Sequence, residues 1–557
     1  MRRILIVFTL FFIFFLLVIG RLFYWQVLKA DKLQIQAEEQ YLLKEEIPAK
    51  RGEILYTDGQ PLVTNEKCFL VFAQPKLIID KKELAQKLSA TLEMDEATVA
   101  AKLSQKDLYW TPIKHQVEIE KTEAIKKCNL KGIGFQEESK RFYPEGSTSA
   151  HLLGFVGKDV AGRDKGYFGL EGYYDRELRG RSGFLTVEKD AQGNPILTDL
   201  REEFGNENGE TLVLNIDRGI QYLLEKKLKE GIEKYQAKAG GVISMAPKSG
   251  EILGMADFPS YDPGKFLDFK EEQYKNPLIA DSFEPGSIFK VIVMAAALDQ
   301  KLVKPTTKYD EKGPISIGGY QIKTWNDKYN GEITMTEVLE KSSNVGMVWV
   351  AGQLGKENLL AYLKKFGFSQ KTEIDLQEEL AAELRPDNQW KEIDLATVSF
   401  GQGIAVTPIQ MIRAVAAIAN GGQLVKPYVV KEIVKEDGGV EMMRSQTERR
   451  VIKPETAAVL TEMMVSAVDN GEAKWAKPQG FRIAGKTGTA QIPVAGHYDT
   501  QKTIASFVGF APADDPKFVM LVTLREPNTS PWGSETAAPL FFDIAKELFN
   551  YYGISPD

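Results

Sequence analysis

An apolar run at the N-terminus places the strongest constraint on what this chain can fold into. Two arginines precede residues 4–19, which are apolar apart from Thr9. A helix that crosses a bilayer core needs about 17 to 25 residues, and this run reaches that length if Arg21 snorkels and Tyr24 and Trp25 lie at the interface. A cleaved signal peptide has a similar apolar stretch. No A-x-A-like cleavage site follows here, which favours an uncleaved anchor.

The charges beside the run predict its orientation. Arg2 and Arg3 keep the N-terminus cytoplasmic by the positive-inside rule, so the rest of the chain is expected on the other side of the membrane. No later segment is long and apolar enough to return. We therefore predict a single-pass protein in which residues 1–27 form the cytoplasmic tip and transmembrane anchor. Cytosolic cofactors such as ATP are not expected.

Composition narrows the class of protein further. The 557 residues exceed one hydrophobic core, so two or more domains are expected. A hydrophobic fraction of 43% and a charged fraction of 26% are typical of globular proteins. The net charge is −7, the sequence pI is about 5.5, and no long basic run occurs, so nucleic acid is not expected as a partner.

The cysteines and histidines argue against metal chemistry. Cys68 and Cys128 are too few for a disulfide framework or a structural zinc site. Two buried thiols and a single bridge between them are equally compatible with the sequence. His115, His151 and His497 are far apart and lack the spacing of metal ligands. No metal or other cofactor is expected, and a Ser-His-Asp triad is poorly supported.

A change of pattern near residues 206–209 predicts a domain boundary. Residues 28–205 have the pattern of mixed α and β structure, with helices expected at 31–44 and 81–103 and two short strands within 54–71. The pattern after the boundary predicts a strand at 211–216, a helix at 220–235, a hairpin over 241–255 and a helix at 541–552. We therefore predict one domain over 28–205 and a second over 206–557.

Ser287 and Lys290 form an S-x-x-K sequence at the start of a predicted helix. A turn signal at Pro285-Gly286 precedes an apolar, alanine-rich stretch at 291–298. Positions i and i+3 of a helix share a face, which brings the lysine amine towards the hydroxyl. A serine needs a base to become a nucleophile, and burial and the positive helix end both favour a neutral amine. Alone the pattern is weak, because a capping serine beside an exposed lysine is more common.

The second motif, Ser342-Ser343-Asn344, follows a predicted helix at 334–341. From a loop between helices, the Ser342 hydroxyl can relay a proton to a leaving amine. The Asn344 amide can hold a substrate carbonyl and orient Lys290. By itself, this sequence is an ordinary turn or cap.

The third motif lies in a predicted strand over 481–490, where Lys486, Thr487, Gly488 and Thr489 are consecutive. Gly485 and Gly488 are unusual in a strand unless another backbone or a ligand approaches closely. Lys486 and residues 487–489 can meet a substrate carboxylate, and the Thr489 N–H can serve an oxyanion hole.

These motifs together are far more specific than any one of them. S-x-x-K, S-D-N and K-T-G are the joint signature of β-lactamases and penicillin-binding proteins. Each type occurs once here and in that order, with S-S-N as a variant of the second.

The chain resembles the class B penicillin-binding proteins over nearly its whole length. Arg51–Gly59 is similar to the opening of the family's non-catalytic pedestal, from which it departs at Tyr56 and Thr57. Further similar segments are Arg141–Gly146, Gly169–Gly180, Pro247–Gly250 and Pro259–Pro263. Ser399–Gly403 and Thr407–Gln410 resemble the division-type branch (the FtsI/SpoVD type), although the elongation-type branch shares this motif with small changes.

This resemblance implies an α+β architecture. The transpeptidase domain would be an antiparallel sheet flanked by helices, with a helical subdomain, and 28–205 would be a β-rich pedestal of the dimerisation type. The implied location is the bacterial cell membrane, with the catalytic domain extracytoplasmic. The implied partners are peptidoglycan stem peptides, β-lactams, a glycosyltransferase of the SEDS family and divisome membrane proteins.

The implied activity is serine D,D-transpeptidation in septal cell-wall synthesis. Ser287 would attack the penultimate D-Ala carbonyl, Lys290 would accept its proton, and Ser342 would help to protonate the departing D-Ala. The backbone N–H groups of Ser287 and Thr489 would stabilise the oxyanion. A D,D-carboxypeptidase and an elongation-type transpeptidase are the alternatives. A β-lactamase, a β-lactam sensor and a division scaffold are weaker rivals.

Overall fold

The computed structural model describes residues 1–47, 49–105, 110–189, 195–494 and 497–556. The chain divides into two compact units, and each is described by itself. The first contains Met1–Arg51 and Arg179–Gly209, and the second contains Gly52–Leu178 and Glu210–Asp557.

The helices are numbered in chain order. They are α1 Arg2–Phe23, α2 Ala30–Tyr41, α3 Lys81–Leu92, α4 Glu96–Leu103, α5 Ile119–Lys127, α6 Ala150–Leu153, α7 Gly169–Tyr173, α8 Asp175–Arg179, α9 Arg218–Tyr235, α10 Pro277–Ala280, α11 Lys290–Asp299, α12 Met335–Glu340, α13 Asn344–Leu354, α14 Lys356–Lys365, α15 Glu392–Val398, α16 Pro408–Ala419, α17 Pro454–Asp469 and α18 Ala537–Tyr551.

The strands are labelled in the same way. They are β1 Leu42–Ile47, β2 Ile54–Leu55, β3 Pro61–Ala73, β4 Thr111–Val117, β5 Ile133–Phe142, β6 Phe155–Lys158, β7 Asp164–Tyr167, β8 Gly183–Lys189, β9 Pro195–Phe204, β10 Thr211–Leu214, β11 Ala239–Met245, β12 Ile252–Phe258, β13 Lys308–Glu311, β14 Ile315–Ile317, β15 Tyr320–Ile322, β16 Gly331–Thr334, β17 Gln423–Val425, β18 Val430–Val434, β19 Val440–Met442, β20 Thr447–Arg450, β21 Ala484–Val494, β22 His497–Ala511 and β23 Phe518–Arg525.

The first unit combines the N-terminal helix with a small sheet. Helix α1 and the π-turn that follows it, Tyr24–Leu28, form one apolar helix of 27 residues, and none of its residues is buried. It is the one helix in the described residues that is long and apolar enough to cross a membrane. Strands β1, β8 and β9 form a three-stranded sheet in that order, and both pairings are antiparallel.

A mixed sheet in the second unit joins segments that are far apart in sequence. Its order is β19-β18-β10-β2-β3-β4, and β5 pairs with β3. The pairing of β10 with β2 is parallel, whereas β10 and β18 pair antiparallel. Helices α3, α4 and α5 cover one end with a small core that includes Leu88, Leu92 and Val99.

An antiparallel sheet in the order β12-β11-β23-β22-β21 forms the centre of the second unit. Side chains alternate across a strand, and β23 follows this rule. Val519 and Leu521 belong to the core that contains α11 and α16, while Met520 and Val522 belong to the core that contains α9 and α18. The sheet is therefore flanked by helices on both faces, as the resemblance implied.

Helix α11 is apolar on every side, and all its residues are buried. Such a helix is stable only inside a core. Because Lys290 is its first residue, the sequence places a lysine amine at the start of a fully buried helix.

Some local predictions are wrong in detail. The helix expected over 31–44 ends at Tyr41, and strand β1 begins at Leu42. The helix expected over 81–103 is two helices, because Glu93 adopts the left-handed conformation and Asp95 caps α4. The two thiols are not bridged, and Cys128 is exposed, so neither cysteine alternative holds.

Candidate active site

Ser287 lies in a 3-10 turn, Gly286–Phe289, that leads directly into α11. The helical turn therefore begins just before Ser287, as predicted. Gly286 has a φ of +58°, and a Cβ atom there would lie 2.9 Å from the Thr489 carbonyl oxygen. A glycine is needed because the turn approaches β21 so closely. This approach brings the backbones of Ser287 and Thr489 to the same end of the cleft.

Lys290 is fully buried, and its amine is held by the second motif. Its Nζ donates to the Ser342 carbonyl oxygen at 2.6 Å, to Asn344 Oδ1 at 2.8 Å and to Ser342 Oγ at 3.2 Å. Burial lowers the pKa of Lys290 well below its usual value, and the nearby Lys486 charge lowers it further. The hydrogen bonds of Lys290 run to Ser342 and Asn344, and the prediction that its amine lies towards the Ser287 hydroxyl stays a prediction.

The three partners of Lys290 also indicate its protonation state. A carbonyl oxygen and an amide oxygen only accept hydrogen bonds, whereas a hydroxyl also donates. All three partners are uncharged oxygens, so none of them compensates the charge of a buried ammonium, and this favours the neutral amine. The amide orientation is set by Asn344 Nδ2, which donates to the Lys323 carbonyl oxygen at 3.1 Å.

The second motif lies at the junction of α12 and α13. Ser342 has a φ of +51°, which turns its carbonyl oxygen and hydroxyl towards Lys290. Ser343 caps α13 by accepting from the Gly346 N–H at 2.8 Å, and its hydroxyl donates to the Glu311 carboxylate. Ser343 is therefore the structural residue of the motif, while Ser342 and Asn344 face the cleft.

The third motif lies on β21, at the edge of the central sheet. Lys486 is buried, and its Nζ donates to Thr487 Oγ1 at 3.1 Å and to the Thr487 carbonyl oxygen at 3.2 Å. Burial lowers the pKa of Lys486 to about 8. The close approach predicted at the strand glycines is confirmed, since a Cβ on Gly488 would lie 3.2 Å from the Pro285 carbonyl oxygen.

Most of the predicted site residues line one cleft. Ser287, Ser342, Asn344, Thr487, Gly488 and Thr489 line it. Lys290 and Lys486 are buried beside these residues. A second cavity, bordered by Gly241, Leu278 and Arg525, contains none of the motif residues, so the motifs and not cavity size identify the candidate site.

The structure adds residues to the cleft that sequence reasoning missed. Trp325 and Trp532 meet edge to face at its rim, with ring centroids 5.1 Å apart. Glu472 lines the cleft from the turn after α17. None of the three belongs to a recognised motif, and only the fold brings them to Ser287.

Fold and cleft together define a penicillin-binding transpeptidase, and the chain belongs to the penicillin-binding protein family, class B. The family model "Penicillin binding protein transpeptidase domain" matches residues 240–546, and "Penicillin-binding Protein dimerisation domain" matches residues 46–214. The two described compact units do not coincide with these matches. The boundary near residue 206 stays a prediction.

Curated relatives match the chain over its whole length. It is 35% identical to Stage V sporulation protein D of Bacillus subtilis (strain 168), over 100% of this chain and 86% of that relative. It is 31% identical to peptidoglycan D,D-transpeptidase FtsI of Escherichia coli (strain K12), over 97% of this chain and 90% of that relative.

A solved structure has the same fold. The peptidoglycan synthetase from Bifidobacterium adolescentis ATCC 15703 is similar with a TM-score of 0.76 and 28% identity, over 93% of this chain and 98% of that one.

Proposed function

We propose that this protein is a membrane-anchored serine D,D-transpeptidase that cross-links peptidoglycan stem peptides through an acyl-enzyme on Ser287. The observation that carries the proposal is the fully buried Lys290 amine beside a cleft-lining serine, because burial lowers the pKa of this amine and so favours its neutral form. Such an amine is competent to take the serine proton. The family membership supplies the reaction class.

Acylation begins when Ser287 Oγ attacks the carbonyl carbon of the penultimate D-Ala. The serine proton passes to Lys290 Nζ as the new C–O bond forms. Lys290 then holds an ammonium 3.2 Å from Ser342 Oγ, so the proton can continue through that hydroxyl to the nitrogen of the departing D-Ala. The peptide C–N bond breaks, and the acyl group remains on Ser287.

The oxyanion of the tetrahedral intermediate needs donors that are already in place. The backbone N–H groups of Ser287 and Thr489 supply them, and the close approach of Gly286 to Thr489 supports this pairing. Loss of one such donor typically costs about 3 to 4 kcal/mol of transition-state stabilisation. The Thr489 side chain is itself fixed, because its Oγ1 accepts from the Gly533 N–H at 2.9 Å.

The donor peptide ends in a carboxylate, and Lys486 with Thr487–Thr489 is positioned to hold it. With a pKa of about 8, Lys486 is mostly an ammonium at neutral pH. An amine from a second stem peptide then attacks the acyl-enzyme, and the cross-link replaces the ester. A β-lactam would acylate Ser287 and remain there, because its ring-opened product blocks the incoming amine.

Product analysis tests the reaction. Detergent-solubilised full-length protein is given a D-Ala-D-Ala-terminated donor and an isotope-labelled acceptor amine, with Ser287→Ala as the control. We expect labelled cross-linked product from the wild type only. Hydrolysed donor alone would support the D,D-carboxypeptidase alternative, and rapid turnover of penicillin would support a β-lactamase.

The proposed topology has the N-terminus in the cytoplasm and the catalytic domain outside the cell membrane. The support is the apolar helix over Arg2–Leu28 and the two arginines at its start. Cys128 offers a direct probe, because it is exposed while Cys68 is buried. A membrane-impermeant maleimide should label spheroplasts carrying the wild type but not those carrying Cys128→Ser. Labelling only after lysis would contradict this topology.

The proposed biological role is septal wall synthesis, with a SEDS-family glycosyltransferase and divisome membrane proteins as partners. Similarity to an FtsI protein supports this role. Similarity to a sporulation protein is also compatible with wall synthesis during sporulation. Depletion of the protein should produce filaments with stalled septa. Loss of rod shape with normal septation would favour the elongation-type alternative.

A further inference from the structure

Glu472 is an acidic residue of the cleft that the proposed mechanism does not use. It lies in the turn between α17 and the 3-10 turn Lys474–Ala476, and it lines the same cleft as Ser287 and Thr487. Its Oε1 atom is buried and has no hydrogen-bond partner among the described residues. A carboxylate oxygen left without a partner is costly, so its persistence here calls for a role.

The other charges around the cleft identify that role. Lys290 and Lys486 are both buried, and the Lys486 charge favours the neutral form of Lys290 because like charges repel. Glu311 also acts on Lys290, but its oxygens are engaged by Ser343 Oγ, the Asn330 N–H and Asn330 Nδ2.

Among the described residues, Glu472 is therefore an acidic residue of this cleft with an unengaged oxygen. Its charge raises the pKa of Lys486, against the larger effect of burial, and it also raises that of Lys290. One carboxylate compensates one buried ammonium and not two.

We propose that Glu472 is a positioning residue whose carboxylate keeps Lys486 as an ammonium while Lys290 remains a neutral amine. The hydrogen bonds support this assignment. Lys290 is hydrogen-bonded only to uncharged oxygens, none of which compensates an ammonium. Lys486 has two acceptors on Thr487, which leaves one N–H of an ammonium free for the carboxylate of a donor peptide. The inference rests on the proposed function, since it assigns the two lysines their roles in that reaction.

The test is the pH profile of acylation by a fluorescent penicillin, whose carboxylate stands in for that of the donor peptide. In Glu472→Gln the pKa of Lys486 falls, so its ammonium is lost at a lower pH. At about pH 8.5 we expect the variant to acylate about tenfold more slowly than the wild type. At about pH 6 the two acylation rates should agree within about twofold, because Lys486 is an ammonium in both proteins. Glu472→Asp should restore most of the rate at the higher pH. Glu455→Gln, an exposed change on α17, is the matched control and should follow the wild type.

A penicillin ester separates the proposed role from a structural one. The ester lacks the carboxylate that Lys486 would bind, so Glu472→Gln should leave its relative acylation rate unchanged across the pH range. Three results would overturn the role of Glu472. The variant could acylate more slowly by the same factor at every pH, its pH profile could match that of the wild type, or its rate could fall equally with the ester. An absent Ser287-dependent adduct on the wild type would overturn the proposed function itself, and with it this inference.

Discussion

The pedestal and the cleft each bury a basic side chain, but they surround it differently. In the pedestal, Arg141 Nε donates to Glu171 Oε1 at 2.6 Å, and both side chains are almost fully buried. Arg141 Nη1 also donates to the Gly52 carbonyl oxygen at 2.7 Å. In the cleft, Lys290 is equally buried, yet its hydrogen bonds go to neutral oxygens.

This difference separates a structural charge from a chemical one. A buried ion pair holds both partners in their charged forms, so neither can exchange a proton readily. A buried lysine without a bonded carboxylate is driven towards the neutral amine, which is the form that accepts a proton. The pedestal pair joins chain segments, whereas the cleft surrounds Lys290 with neutral oxygens, as the proposed role of a base requires.

The largest expected effect comes from removing the reactive amine. Lys290→Met keeps an unbranched side chain in the core but has no base, and we expect acylation by fluorescent penicillin to fall about a thousandfold. The free energy of unfolding should change by less than about 2 kcal/mol, because lost hydrogen bonds are offset by removal of a buried amine. Acylation within about tenfold of the wild type would show that Lys290 is not the base.

The opposite result is expected in the pedestal. Arg141→Met removes one side of a buried ion pair with Glu171 and should destabilise the protein by about 3 to 5 kcal/mol in urea unfolding. Folded molecules should still acylate Ser287 at the wild-type rate. Adding Glu171→Met should restore much of the lost stability. No recovery in the double variant would mean that Arg141 acts mainly through its other contacts.

A third variant makes the cleft resemble the pedestal. Asn344→Asp places a carboxylate at the position that now lies 2.8 Å from Lys290 Nζ. The anion should raise the pKa of Lys290 and favour its ammonium, so the acidic limb of the acylation profile should move to higher pH. At about pH 7 we expect roughly a tenfold slower reaction that recovers as pH increases.

Asn344→Ala is the control for this variant, because it removes the same amide without adding charge. The acidic limb of its acylation pH profile should not move to higher pH. If both variants give the same profile, the protonation state of Lys290 does not depend on the absence of a bonded carboxylate.

The smallest effect concerns a buried tyrosine hydroxyl in the pedestal. Tyr56 is buried, and its hydroxyl donates to Glu145 Oε2 at 2.7 Å. Tyr56→Phe should lower the free energy of unfolding by about 1 kcal/mol and leave acylation unchanged. A change in acylation would show that this pedestal contact influences the cleft.

The sequence was most informative where a motif and its local structure coincide. The turn at Ser287, the junction at Ser342–Asn344 and the strand at Lys486 are each local, so hydrophobic pattern and turn residues predict them. Three pedestal segments identified by resemblance also meet, since Arg141 contacts both Gly52 and Glu171.

Long-range contacts could not be predicted in the same way. The direction of the Lys290 amine depends on the left-handed backbone at Ser342, 52 residues away. Glu472 enters the cleft from a turn that has no motif of its own. The edge-to-face contact between Trp325 and Trp532 joins two loops through the tertiary fold alone. No spacing rule connects such residues, because the packed core decides which loops converge.

The most direct test of the central claim is to locate the penicillin adduct. Full-length protein is treated with penicillin, and the modified peptide is identified by mass spectrometry, with Ser287→Ala and Lys290→Met treated in parallel. We expect one stable adduct on the peptide that contains Ser287, no adduct in Ser287→Ala, and an adduct that forms only slowly in Lys290→Met. An adduct at another serine, or an equally labelled Ser287→Ala variant, would contradict the assignment of Ser287 as the nucleophile.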